Sequence, residues 1–303
     1  MWEMRINLSA WLLALSFLGG NGAAIAQAAT TLNFNSSSGP GEQLLTVNPV
    51  SVSINVPRST TPDGDPPPPV VTVQVSGKTV FRALRPDLPG MDTLVEIAEM
   101  DASNPYPEVI ISHYTGGAHC CNQVEVISSD PSGKQWRSLA LGSFDGGPHP
   151  LVDVDGDGQS EFVDVDNRFL YQFSSYAGSS PPVQVWQLQN GKFINVSQQP
   201  QFRRLHEEAA ERMLKAIQET PPRSPDSNGL LAGYAATQAI LGKFPQAWAL
   251  VESRYEPSEW GLEECLGTYD DQGRCKGKEV RYRNFPEALR AFLERNGYLA
   301  SSP

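Results

Sequence analysis

The densest chemistry in the chain sits in nine residues: Asp153-Val154-Asp155-Gly156-Asp157-Gly158-Gln159-Ser160-Glu161. Carboxylates occupy positions 1, 3, 5 and 9 of this loop, with Gly158 at position 6 and Asp164 at position 12. Alternating carboxylates let a tight loop wrap oxygens around one point, and Ca²⁺ is a hard cation that takes six to eight of them. Gly158 permits the sharp turn, and the carbonyl of Gln159 can supply a further oxygen. Without an ion, four carboxylates this close repel one another. The alternative is an acidic, solvated turn. The loop matches an EF-hand pattern through Asp164, yet an EF-hand is flanked by helices. Pro150-Leu151-Val152 and Phe162-Val163-Asp164-Val165 read as strands. The loop therefore belongs in a β-hairpin, and Asp164, shorter than a bidentate Glu, falls outside the ligand set.

A second cluster has different chemistry. His113, His119 and His149 lie within 37 residues, and Cys120 and Cys121 adjoin His119. Imidazole and thiolate suit zinc or copper, and a Cys nucleophile with a His base is another option. His113 falls on a strand, His119 just past the Gly116-Gly117 turn, and His149 just before the acidic loop. If the strands pair as read, the three converge. Oxidation of the cysteines removes the nucleophile and leaves a stapled turn with surface histidines.

Phe144-Asp145-Gly146-Gly147, followed by Leu151 through Val163, resembles an FG-GAP or VCBS-type repeat over about 25 residues. Such repeats are blades of integrin-α-like β-propellers with Ca²⁺ in the acidic loop. The resemblance implies calcium as cofactor, with ligands Asp153, Asp155, Asp157, Gln159 through its carbonyl, and Glu161. A weaker echo begins at Asp101 and lacks the middle carboxylates. Gly242-Lys243-Phe244-Pro245-Gln246-Ala247-Trp248 resembles the turn and second helix of a tetratricopeptide unit, although solenoids need about three repeats. No G-x-S-x-G, H-E-x-x-H, P-loop or G-x-G-x-x-G motif is present.

Cellular address bears on both clusters. Arg5, the apolar run Leu8 to Leu18 and the A-x-A sites at Ala24–Ala28 have the layout of a secretory signal peptide over residues 1–28. The run is well short of the ~20 residues that span a bilayer. The mature protein is expected to be periplasmic or secreted, without a transmembrane segment. Export favours disulfides. Four cysteines allow three connectivities; Cys265 and Cys275, flanking a turn-rich stretch, are the favoured pair, which leaves Cys120 with Cys121. A net charge of −11 over 303 residues excludes a sequence-independent nucleic-acid binder, which needs a basic face.

The elements that must position these groups change character along the chain. Residues 29–43 are Ser/Gly/Asn-rich and read as flexible. Leu44 to Val56 alternates as a half-buried strand, and the prolines of residues 62–69 form a stiff spacer. Strands are expected at 70–75, 94–98, 109–114, 124–127, 162–165, 169–173, 183–186 and 193–196. From Phe202 the period becomes helical: Leu205, Ala209, Ala210, Met213, Leu214 and Ile217 share a face. A helical hairpin over 230–255 and a final helix from Asn284 to Asn296-Gly297 follow. The expected architecture is a mainly β domain over 44–200, partial β-propeller-like or compact antiparallel, followed by a small all-α domain over 203–300. The expected function is an exported, calcium-binding, non-enzymatic binding protein with a protein or glycan partner. The alternative is a periplasmic metalloenzyme or transition-metal protein built on the histidines and cysteines.

Overall fold

Apolar alternation builds the first strands of the computed structural model, which describes residues 30–300 apart from 36–37, 60–66, 89–91, 225 and 273. The expected signal peptide and residues 62–66 of the proline-rich spacer lie outside the described residues. The chain begins with β1 (Thr30–Phe34), β2 (Gly41–Val47), β3 (Val50–Val56), β4 (Val70–Val75) and β5 (Lys78–Leu84). It continues through β6 (Thr93–Ala98), β7 (Glu108–Tyr114), β8 (Cys120–Ser129) and β9 (Trp136–Asp145) to β10 (Phe162–Val165), β11 (Val183–Gln189) and β12 (Lys192–Asn195).

These strands form a four-stranded sheet β2-β3-β4-β5, a five-stranded sheet β1-β6-β7-β8-β9 and a three-stranded sheet β10-β11-β12. Every pairing is antiparallel. Val52, Ile54, Val71 and Val73 of the four-stranded sheet pack with Val95, Ile97, Val109 and Ile111 of the five-stranded one. On the other face of the five-stranded sheet, Ile110, Val124, Val126 and Phe144 pack with Leu151, Phe162 and Leu188. The middle sheet is thus covered on both sides, which is why Val109, Ile110 and Ile111 are all fully buried. The stack is layered and antiparallel, and the described strands close no barrel.

Three local expectations are corrected. The single strand read from Leu44 to Val56 is a hairpin: Asn48 and Pro49 form the turn, and Val47 pairs with Val50. Pro49 has no amide to donate to a ladder, so the strand breaks there. The segment 29–43, read as flexible, contains β1, which pairs with β6 from Thr30↔Ile97 to Phe34↔Thr93 and buries Phe34. Phe169 to Phe173 is not a strand. A short 3₁₀ turn, Asn167–Phe169, forms because the Asp166 carboxylate accepts from Arg168 N. Strands β5 and β9 escaped the pattern because both are edge strands with a largely solvated face.

The C-terminal region contains α1 (Arg203–Glu219), α2 (Ser227–Ile240), α3 (Phe244–Arg254), a small hairpin β13 (Glu263–Leu266) with β14 (Lys278–Arg281), and α4 (Phe285–Arg295). The hairpin between α2 and α3 turns at Gly242, whose φ of +73° favours glycine. Asn284 caps α4 by accepting from Glu287 N at 3.0 Å. The helical core also takes in Phe169 and Phe173. Phe169 meets Phe292 edge-on at 4.9 Å, and Phe173 meets Phe285 at 5.2 Å. Phe169 and Phe173, which precede the expected division at residues 200–203, thus pack in the helical core.

A buried acid fixes the loop between β6 and β7. Glu108 is fully buried; its Oε1 accepts from Asn104 Nδ2 at 2.6 Å and Ser128 Oγ at 2.9 Å, and its Oε2 accepts from Met100 N at 2.9 Å. Burial pushes its carboxyl up to about 7, against the pull of those hydrogen bonds. A carboxyl whose folded pKa is raised contributes stability below its unfolded pKa of about 4.5, and that contribution is lost as pH rises through about 7. Unfolding free energy should fall across this window by on the order of 3 kcal/mol from this group. In Glu108→Gln, which cannot titrate, urea titrations at successive pH values should show a flatter slope. An unchanged slope would remove Glu108 as its source.

Candidate metal centre and adjoining groove

Val152 and Glu161 pair across the base of the acidic loop, with N···O distances of 3.1 and 2.9 Å. The loop is thus the tip of a β-hairpin leading into β10. The two Asp153 oxygens accept from Gly156 N at 2.8 Å and Gly158 N at 3.1 Å, which turns the backbone around this carboxylate. Asp155 Oδ1 accepts from Asp157 N at 3.2 Å. Glu161 lies fully buried at the loop's foot; its Oε2 accepts from Val154 N at 2.8 Å and its Oε1 from Gln187 Nε2 at 2.9 Å.

Asp153, Asp155 and Glu161 each bring a carboxylate oxygen to within 4.8 Å of the others. Among the described residues, they are the one group of three or more His, Cys, Asp or Glu side chains so placed. The other two expected ligands are differently engaged. The Asp157 carboxylate accepts from Gln159 N at 2.7 Å and Gln159 Nε2 at 3.0 Å. Gln159 Oε1 accepts from Ala102 N at 3.1 Å, which ties the loop to the β6–β7 connection. Asp164, in β10, is outside the trio and accepts from Val165 N at 2.6 Å.

The electrostatics match crowded anions. Burial raises Glu161 to about 7, and the charges of Asp155 and Asp157 push the same way. Asp155 is also raised, by burial first and then by Asp157 and Asp153. A cation within reach of the three carboxylates would relieve this repulsion. The donor set, all oxygen, suits Ca²⁺ better than a soft metal.

The histidines do not converge, which corrects the expectation behind the metalloenzyme alternative. His113 is buried in β7, its Nδ1 3.2 Å from Thr93 Oγ1. His119 stacks on Tyr176 with ring centroids 3.9 Å apart, and the Tyr176 hydroxyl donates to Asp145 Oδ2 at 2.5 Å. His149 packs on Phe162, its Nε2 2.7 Å from Val163 O. The physical reason is the sheet itself. His113 and His119 stand on either side of the Gly116-Gly117 turn, while His149 is held against Phe162 and Val163 of β10. Cys120 is bonded to Cys121, and Cys265 to Cys275 with Cα atoms 5.6 Å apart, so the described cysteines carry no thiolate.

Beside the acidic loop is a polar groove of about 350 Å³. Half of its twelve lining residues are amides: Gln159, Gln187, Gln189, Asn190, Gln199 and Gln201. Its carboxylates are Asp101 and Asp157, and no lysine or arginine lines it. In sequence these amides look like scattered surface residues; only the meeting of the β11–β12 turn, the β6–β7 loop and the approach to α1 groups them.

Fold and site together define a class: a layered antiparallel β protein with an acidic hairpin loop and a C-terminal helical region. Residues 206–297 match the family model described as the sll0997 C-terminal domain. The chain is 46% identical to the probable thylakoid lumen protein sll0997 of Synechocystis sp. over 232 residues, covering 76% of this chain and 68% of that one. The chain belongs to the sll0997 family. It is also 35% identical over 213 residues to the uncharacterized protein y4bJ of Sinorhizobium fredii, covering 69% of this chain but only 33% of that protein. No solved structure matches.

Proposed function

We propose that this protein is an exported, non-enzymatic binding module whose acidic hairpin is held in shape by one Ca²⁺. The observation that carries the reading is the meeting of Asp153, Asp155 and Glu161 oxygens within 4.8 Å of one another at the base of a backbone-wrapped loop. The Gln159 carbonyl and water would complete the shell, with Asp157 adding a carboxylate if it releases Gln159. The likeness of the loop to an FG-GAP or VCBS repeat supports the same ion. Export is supported by the signal-like residues 1–28, by the printed name of the Synechocystis relative, and by two disulfides, which persist in oxidising compartments. No helix among the described residues is long and apolar enough to cross a membrane.

The ion binds the native loop and should add about 2.7 kcal/mol to the unfolding free energy at a hundredfold excess over Kd, which raises the melting temperature. Differential scanning calorimetry with Ca²⁺, Mg²⁺ or chelator reads this directly. The expected result is a rise specific to Ca²⁺, abolished by Asp153→Asn, whose melting temperature in chelator stays close to the parent's. No rise, or an equal rise with Mg²⁺, would sink the calcium reading.

A further inference from the structure

We propose that the amide-lined groove beside the acidic loop binds a neutral polyhydroxylated ligand, a glycan. Four segments wall the groove; the approach to α1 brings Gln199 and Gln201, and the other three are tied together. Asp101 accepts from Gly191 N at 2.8 Å and Ser103 N at 3.1 Å, joining the β6–β7 loop to the β11–β12 turn. Gln159 Oε1 accepts from Ala102 N, and Ser160 N donates to Glu99 O at 2.6 Å, joining the acidic hairpin to the same loop. Glu108 holds that loop from below through Asn104 and Met100 N. Walls fixed in this way lose little freedom when a ligand enters.

The chemistry of the lining selects the ligand. A primary amide presents an acceptor and two donors side by side. A hydroxyl both donates and accepts, so neighbouring ring hydroxyls match a row of amides. Gln187 and Gln189 already form such a row: Gln189 Nε2 donates to Gln187 Oε1 at 2.9 Å, and Gln187 Nε2 donates to Glu161. Gln201 Nε2 donates to Gln199 Oε1 at 2.7 Å. This leaves Gln189 Oε1, Gln199 Nε2 and Gln201 Oε1 without a protein partner among the described residues. Asp101 and Asp157, with no cation in the lining, disfavour anions.

A peptide is the other neutral polar candidate. Peptide grooves offer a free strand edge or apolar pockets for alternate side chains. Here the lining's Met100 and Leu188 are almost completely buried, and the one strand in the walls, β11, is the central strand of its sheet. Without an aromatic face in the lining, the affinity should be modest, on the order of 10⁻³ M for a short oligosaccharide.

The inference rests on the reading of the chain as a binding module, and the test separates the two. Protein-observed NMR titration would use the mature chain with neutral oligosaccharides of glucose, galactose, mannose and N-acetylglucosamine, an oligoglucuronate, and a Gly-Ser peptide. Each series is run with Ca²⁺ and with chelator, and melting is recorded on the same samples. The expected result is saturable binding of at least one neutral oligosaccharide, with shifts at Gln189, Gln199 and Gln201. Gln189→Ala combined with Gln199→Ala should weaken it ~10-fold or more, the loss expected for desolvated hydrogen bonds, at an unchanged melting temperature. Absence of neutral-saccharide binding, preference for the glucuronate or the peptide, or binding indifferent to the double variant overturns the glycan proposal. A calcium-specific melting shift without saccharide binding leaves the ion reading standing alone. Saccharide binding without that shift does the reverse.

Discussion

Phe169→Ala should destabilise the protein by about 4 kcal/mol, within the range for truncating a buried aromatic. Phe169 is only 2% exposed. Its ring meets Phe292 edge-on at 4.9 Å and Tyr298 at 5.5 Å, so the variant loses aromatic contacts as well as filling volume. The surroundings cannot readily collapse, because the turn is pinned on both sides. Asp166 accepts from Arg168 Nε at 2.8 Å and from the Tyr298 hydroxyl at 2.8 Å, and Arg168 Nη1 donates to Asn296 Oδ1 at 2.7 Å. For a chain of this size, each kcal/mol moves the melting temperature by about 2–4 °C, so a fall on the order of 10 °C is expected. Leu84→Ser, at a side chain 65% exposed, serves as the control and should change little. Calorimetry and circular dichroism at the helical signal read the fall. A melting temperature close to the parent's would refute the placement of Phe169 in the helical core.

Gly233→Ala carries the second large effect, and its sign runs against helix propensity. In an exposed helix interior, alanine is better than glycine by about 1 kcal/mol. At position 233, however, an added Cβ would stand 1.6 Å from Ser180 O and 2.8 Å from Ser180 C. These are backbone atoms, so relief requires α2 or the loop around 175–180 to move. One turn earlier, a Cβ at Gly229 would lie 2.2 Å from Ser174 Oγ and 2.4 Å from Gly178 O. The two glycines share a helix face and form the groove into which this loop settles. Asp226 holds the same loop, accepting from Ser175 N at 3.1 Å and Ser175 Oγ at 2.9 Å. Overpacking here should cost about 3 kcal/mol, more than the propensity gain returns. Equilibrium urea unfolding measures the net effect. Equal or higher stability for Gly233→Ala would mean that α2 and the loop are not pressed together.

Much of this architecture was legible because it depends on local periodicity. Val50, Val52 and Ile54 alternate, and their row is buried. Leu205, Ala209, Met213 and Ile217 recur at helical spacing, and they face the core. Gly242 and Gly297 mark turns that need a positive φ. The acidic loop was legible as a hairpin tip because carboxylate spacing and strand-like flanks are both short-range features. Edge strands β5 and β9 were not, since a largely solvated face leaves no strong apolar row to read.

Long-range grouping was a different matter. Five loop residues could be named as oxygen donors from their spacing, yet which of them meet depends on where Ala102 and Gln187 stand, and those come from other layers. The three histidines lie close in sequence, but strand direction and layer order carry them to separate partners. Phe169 and Phe173 read as a strand because aromatic spacing is ambiguous over five residues. The Asp166 cap and the apolar surface of α4 draw them into the helical core instead. The sequence by itself determined the mainly β N-terminal region, the helical C-terminal region, the acidic loop and the cysteines available for pairing, because propensity, periodicity and charge act between near neighbours. Only the tertiary structure decided which carboxylates converge, which amides line the groove and where one core ends and the next begins, because those contacts depend on burial between segments far apart in the chain.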